Sequence, residues 1–183
     1  MAEPLKRDHI VQVYLEDRVL VEAVSLFAGA ALGRAEAVVL IATPEHLARV
    51  ERCLQNDGYE VDDLARWGQL VCLDAREALS RFMVDGMPDR ALFRALLRDI
   101  VKSVQRSGRF KTIRAYGEMV NLLWRENLPA AVCLEELWNE AIQEHSISLF
   151  CAYALDVEGQ AQRVFPPDLR ALHSHFIPVE SGG

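Results

Sequence analysis

No apolar run in this 183-residue sequence is long enough to span a bilayer, which takes about 20 consecutive apolar residues. The longest candidates are interrupted by Glu22, Arg34 and Glu36. Residues Met1 to His9 are polar and lack the apolar centre of a signal peptide. No membrane association and a cytoplasmic location are expected. Positive charge is also short, with 20 Lys and Arg against 27 Asp and Glu and a net charge of −7. A sequence-independent nucleic-acid binder wants a basic face, so no direct nucleic-acid contact is expected. One local cluster, Lys102, Arg106, Arg109 and Lys111, reads as a solvated helix end.

Cysteine is sparse and badly spaced for metal or redox work. Cys53, Cys72, Cys133 and Cys151 form no CxxC pair, so buried free thiols are expected. His173 and His175 are spaced as two metal ligands can be. No further ligand is assignable from the sequence, so neither metal nor cofactor is expected. The signatures GxSxG, HExxH and GxGxxG are missing. The serines show no nucleophile elbow, and no catalytic residue is assigned. The chain reads as a non-enzyme.

A hydrophobic content of 51% with 26% charged residues fits one folded domain over residues 1–183. There is no internal repeat. Five strands are predicted, at 10–14, 36–42, 70–73, 112–116 and 147–153. The run Ala35 to Ala42 is apolar apart from Glu36, with a β-branched centre, as in a parallel strand covered on both faces. Helical patterns separate the strands, and Asp17 is a plausible N-cap of the first. Thr43-Pro44 starts another, with Thr43 at the cap. Asp85 to Pro88 reads as a loop, and Asp168 to Phe176 as one short helix. Alternating strands and helices predict an α/β fold: three layers, a mainly parallel sheet and helices on both faces.

The segment Ala37 to His46, AVVLIATPEH, lies where a phosphate-binding loop would sit. Such a loop needs several glycines and a terminal Gly-Lys-Ser/Thr. Only Thr-Pro-Glu-His is present, and Glu45 stands in the field of the helix N-terminus. Parallel strands place their carboxyl ends on one edge, where ligands bind in open α/β sheets. The residues that follow or close strands are therefore the candidate ligand-binding set: Tyr14, Thr43, His46, Asp74, Tyr116 and Glu118. Trp124 and Trp138 join it as aromatic walls, although tryptophan at apolar helical spacing is more often core. Asp74 also suits a helix cap, and Glu118 suits dipole compensation. Of Glu135 and Glu136, one is expected to face solvent and the other to pair with Arg114 or Arg125.

Several segments together resemble a family. They are His9 to Tyr14, Ala42 to His46, Leu73 to Ala75, Phe82 to Pro88, Arg114 to Trp124 (RAYGEMVNLLW) and Leu134 to Asn139 (LEELWN). They are similar to the MEDS domain, the sensory domain named for methanogens, methylotrophs and the dichloromethane-responsive regulator. The resemblance covers about His9 to Tyr153, with residues 156–183 as an extension. It implies a RecA/KaiC-type fold that has lost its phosphate-binding loop. It also implies sensing, proposed for hydrocarbon derivatives, in bacterial or archaeal signal transduction and transcription control. With no output domain in sight, a regulatory protein partner is expected, and a homodimer is compatible. The alternatives are a degenerate KaiC-type nucleotide-binding protein and a purely structural interaction module.

Without a backbone cradle or lysine to hold phosphates, the chain should not hydrolyse ATP. Purified protein with ATP and magnesium should release phosphate no faster than the protein-free control. Release that disappears in Asp74→Asn would overturn this.

Overall fold

A computed structural model of the chain describes residues 8–106, 108–155 and 165–179. Of the predicted extension, 156–164 and 180–183 lie outside the described residues. The first half of the chain comprises β1 (His9–Tyr14), α1 (Asp17–Leu32), β2 (Ala37–Ala42), α2 (Pro44–Asn56), α3 (Val61–Arg66), β3 (Leu70–Asp74) and α4 (Ala75–Ser80). A hairpin of β4 (Met83–Val84) and β5 (Met87–Pro88) follows, then α5 (Arg90–Gln105) and β6 (Ile113–Gly117). The remainder is α6 (Met119–Leu123), α7 (Leu128–Glu144), β7 (Ile147–Ala154), α8 (Pro167–Ala171) and β8 (His175–Ile177).

Six strands form one sheet in the order β3-β2-β6-β7-β1-β8. Every neighbouring pair is parallel. Successive side chains of a strand point to opposite faces, and here each face meets its own helical layer. Val11, Val39, Ile41, Ala115, Leu149 and Tyr153 pack on the layer of α4, α5, α7 and α8. Ile10, Tyr14, Val38, Leu40, Tyr116 and Phe150 pack on the layer of α1, α2 and α3. This is the expected three-layer α/β fold, and β1, β2 and β6 are buried at every position. No helix among the described residues is long and apolar enough to cross a membrane.

The departures from expectation are local. The predicted loop 85–88 belongs to a two-residue hairpin. Asp85 and Gly86 turn it with φ of 49° and 80°, the pair of positive values that a tight type I′ turn requires. The predicted helix over 168–176 is instead α8 followed by β8. Ser174 N–H donates to His9 O at 2.8 Å, and β8 completes the otherwise open edge of β1. Edge hydrogen bonding to a distant strand overrides the helical pattern there. The helix α1 begins at Asp17, but its N-cap is Glu16, with no side-chain cap bond.

The α5–α7 layer is held by aromatic edges. Phe93 lies 5.4 Å from Phe82 and 5.1 Å from Trp138, both T-shaped, and is 2% exposed. Phe93→Ala should cost about 3–5 kcal/mol of stability, read from the urea midpoint at unchanged m-value. A loss below about 1 kcal/mol, the size of a surface change, would show that the layer repacks.

Candidate functional site

The carboxyl ends of β1, β2 and β6 bring one polar group together. Residue 118 follows β6, and its backbone N–H donates to Ile41 O at 2.8 Å. That bond aims the Glu118 side chain across the end of β2. Its Oε2 accepts the Thr43 N–H at 2.9 Å, and its Oε1 accepts from His46 Nδ1 at 2.9 Å. Thr43 is the cap residue of α2 but makes no side-chain cap bond. Its backbone N–H matters instead, because the first N–H groups of a helix lack intrahelical partners and favour an anion. The anion at this helix end is Glu118, 2% exposed, whereas Glu45 points to solvent.

The second ring nitrogen of His46 lies 3.5 Å from Asp17 Oδ2, which is also 3.6 Å from Arg49. The imidazole therefore sits between two carboxylates. Its hydrogen bond to Glu118 raises its pKa above the usual histidine value, against the opposing effect of burial. Tyr14 and Tyr116 lie beside this group. Burial first, and the Glu118 charge second, push both phenols up from their ordinary range. The Tyr116 hydroxyl is buried and finds no hydrogen-bond partner among the described residues. Asn121 Nδ2 reaches Tyr14 Oη at 3.5 Å, while its Oδ1 accepts the Ala154 N–H at 2.9 Å.

Five of the candidate residues thus meet: Tyr14, Thr43, His46, Tyr116 and Glu118. Asp74 lies on the same edge but acts as the cap of α4, accepting from the N–H groups of Arg76 and Glu77 at 2.7 and 3.2 Å. Trp124 packs edge-on to Tyr153 in the opposite layer and touches the group only through Asn121, at 3.3 Å. Trp138 is core against Phe93. Asp17, Arg49 and Asn121 were not foreseen. Asp17 reads in sequence as a cap, and only the approach of α1 to α2 brings it to His46. A surface cleft lined by Arg66, Trp67 and Arg106 lies away from this edge, and no candidate residue lines it.

A second buried carboxylate lies on the other face of the sheet. Glu135, on α7, is 0% exposed. It pairs with His9 and His173 at 3.1 Å each, and the Tyr153 hydroxyl donates to it. Burial would raise its pKa, but His173 and His9 outweigh this and hold it well below the ordinary carboxylate range. The expected arginine partners are engaged elsewhere. Arg114 pairs with Glu36 at 2.6 Å, and Arg125 donates to Ala154 O at 2.8 Å. His175, spaced from His173 as a second metal ligand can be, is exposed.

Fold and site together define an α/β domain of the RecA/KaiC type in which the chain's own carboxylate sits at the helix N-terminus after β2. A KaiC-like protein from the hyperthermophilic archaeon Pyrococcus horikoshii superposes with a TM-score of 0.60 at 11% identity, over 94% of this chain and 71% of that one. No curated protein matches in sequence. The chain belongs to the MEDS family, the methanogen/methylotroph DcmR sensory domain, whose profile matches residues 8–173. The match includes α8 and ends at His173, beyond the Tyr153 at which the resemblance read from the sequence stops.

The His46–Glu118 pair predicts a pH dependence. The folded pKa of His46 is raised above an unfolded value of about 6.5. Its contribution is therefore complete below about pH 6.5 and fades as pH rises through the folded value. Wild type should exceed His46→Gln in denaturation midpoint by a margin that is full below about pH 6.5 and narrows as pH rises through the raised folded value. A margin independent of pH would mean that the imidazole is not charged in this pair.

Proposed function

We propose that this sensory domain binds a small organic molecule at the carboxyl edge of the sheet, without chemical turnover, and passes the change to a regulatory protein partner. The observation that carries the reading is the Tyr116 hydroxyl, buried without a partner in the group built on Glu118 and His46. A buried polar atom left unsatisfied costs free energy that a ligand hydrogen bond would recover. The side chains packed beside it, Tyr14, Phe150 and Phe27, are aromatic, which suits a mostly apolar molecule oriented by few polar contacts. A hydrocarbon derivative carrying one polar group or a halogen fits that description and agrees with the sensory family.

The competing reading is residual nucleotide binding, which the likeness to a KaiC-like protein favours. Glu118 argues against it. A phosphate brought to the N-terminus of α2 would meet a buried carboxylate already bonded to Thr43 N–H, and like charges there repel.

Titration calorimetry with short-chain alcohols, methylamines and halogenated methanes, beside ATP with magnesium, separates the two. Some member of the organic panel should bind, and Tyr116→Phe should weaken it about tenfold, the loss of one hydrogen bond. ATP should give no heat. Glu118→Gln and His46→Ala are poorer probes, because removing one partner of a buried pair also lowers stability. Binding of ATP with no response to any organic compound would overturn the proposal.

A further inference from the structure

The Glu135 group has a geometry that ion pairing alone does not require. His9 Nε2, Glu135 Oε2 and Cys151 Sγ form a triangle with edges of 3.1, 3.4 and 3.5 Å. Around a tetrahedral zinc ion, bond lengths of about 2.0–2.3 Å give edges of about 3.4 Å for N–O and about 3.6 Å for N–S or O–S pairs. The triangle matches one face of such a tetrahedron. The fourth candidate ligand is His173, whose side chain is 0% exposed and whose Nε2 stands 3.1 Å from the other Glu135 oxygen, Oε1, without the alignment of a hydrogen bond. The four ligand atoms lie within 4.8 Å of one another.

The outer contacts set the tautomers. Asn139 Nδ2 donates to Leu172 O at 3.0 Å, so its Oδ1 is the acceptor that faces His9 Nδ1 at 3.0 Å. His173 Nδ1 lies 2.7 Å from Leu169 O, and a carbonyl can only accept. Both histidines therefore carry hydrogen on Nδ1 and turn Nε2 inward. This is the way metal-bound imidazoles are held, with the outer N–H on a carbonyl. Tyr153 likewise holds Glu135 from outside the group.

We propose that His9, Glu135, Cys151 and His173 bind a divalent transition-metal ion, zinc by preference. Two imidazoles, a carboxylate and a thiol suit zinc, cobalt and ferrous iron rather than calcium or magnesium. A bound thiolate and carboxylate cancel the charge of a divalent ion, which suits a buried position. Binding displaces the Cys151 thiol proton to solvent. The ion would fasten β1 at the start of the described chain to three later segments: α7, β7 and the α8–β8 connection. It lies on the opposite face of the sheet from Glu118, so its presence and the proposed ligand at the carboxyl edge can be tested separately.

The test is metal content and cobalt spectroscopy on the tag-free full chain, refolded with zinc or with Co(II) because the ligands are buried. One equivalent of zinc should remain after gel filtration, at a higher melting temperature than the metal-free protein. The Co(II) form should show tetrahedral d–d bands and a thiolate-to-metal charge-transfer band. Cys151→Ser should remove the charge-transfer band, Cys133→Ser should keep it, and His173→Gln should lose stoichiometric binding. Asn139→Ala should weaken affinity about tenfold or more, as loss of an outer-shell partner does. Folded wild type that retains less than one equivalent of either metal would overturn the proposal, whether or not the variants fold. So would a charge-transfer band that survives Cys151→Ser.

Discussion

A carboxylate taken out of water has to be met by partners inside the protein, and this fold takes in one on each face of its sheet. Glu118 is 2% exposed and Glu135 is 0% exposed. Among the described residues, the ion-pair partners found for both are histidines. Each is matched by histidine, so each pairing is conditional on protonation or on a bound species in a way that an arginine pair is not. The sheet makes this affordable in structural terms. Its strands are parallel and covered on both sides, and their polar residues cluster where strand ends or facing helices bring them together.

Glu118 also occupies the place where a phosphate-binding loop would hold its anion. The helix after β2 starts, as helices do, with N–H groups that lack intrahelical partners. In this chain one of them is satisfied from within, by a side chain delivered from the end of β6. The α2 terminus keeps its preference for negative charge and has that preference met. On a fold shared with a KaiC-like protein at 11% identity, that edge carries a paired carboxylate and imidazole in this chain.

The strands were readable from the sequence because a buried parallel strand leaves a local mark. The all-apolar AVVLIA of β2 and the flanking helical periods are enough. The carboxyl-edge residues followed, since parallel strands put their ends together whatever the tertiary detail. Reading failed where the cause is distant. Residues His175 to Ile177 adopt a strand because β1 has an edge to offer, which nothing near residue 175 announces. The Glu135 group draws on residues 9, 135, 151 and 173, and spacing rules for metal ligands look only at near neighbours. One signal was available. His9, Val11 and Val13 alternate with Ile10 and Tyr14, and Cys151 and Tyr153 share the parity of Leu149. The alternation alone puts His9 and Cys151 on the face that meets α7.

Trp124 shows how the two faces meet. Read from the sequence it is a wall of the ligand site, yet it is core, edge-on to Tyr153 at 5.8 Å and to Phe165 at 6.4 Å. Its indole N–H donates to Asn121 Oδ1, the atom that also holds the end of β7 through Ala154 N–H. From Glu118 the contacts run through Asn121, whose backbone N–H donates to Glu118 O at 3.0 Å, and on through Trp124 and Tyr153 to Glu135, around the end of β7. Contiguity of this kind is not coupling, which needs an element with two arrangements that both sites bias. The element placed to serve is the end of β7 itself, where Tyr153 faces one carboxylate and Ala154, one residue on, is tied to the neighbour of the other.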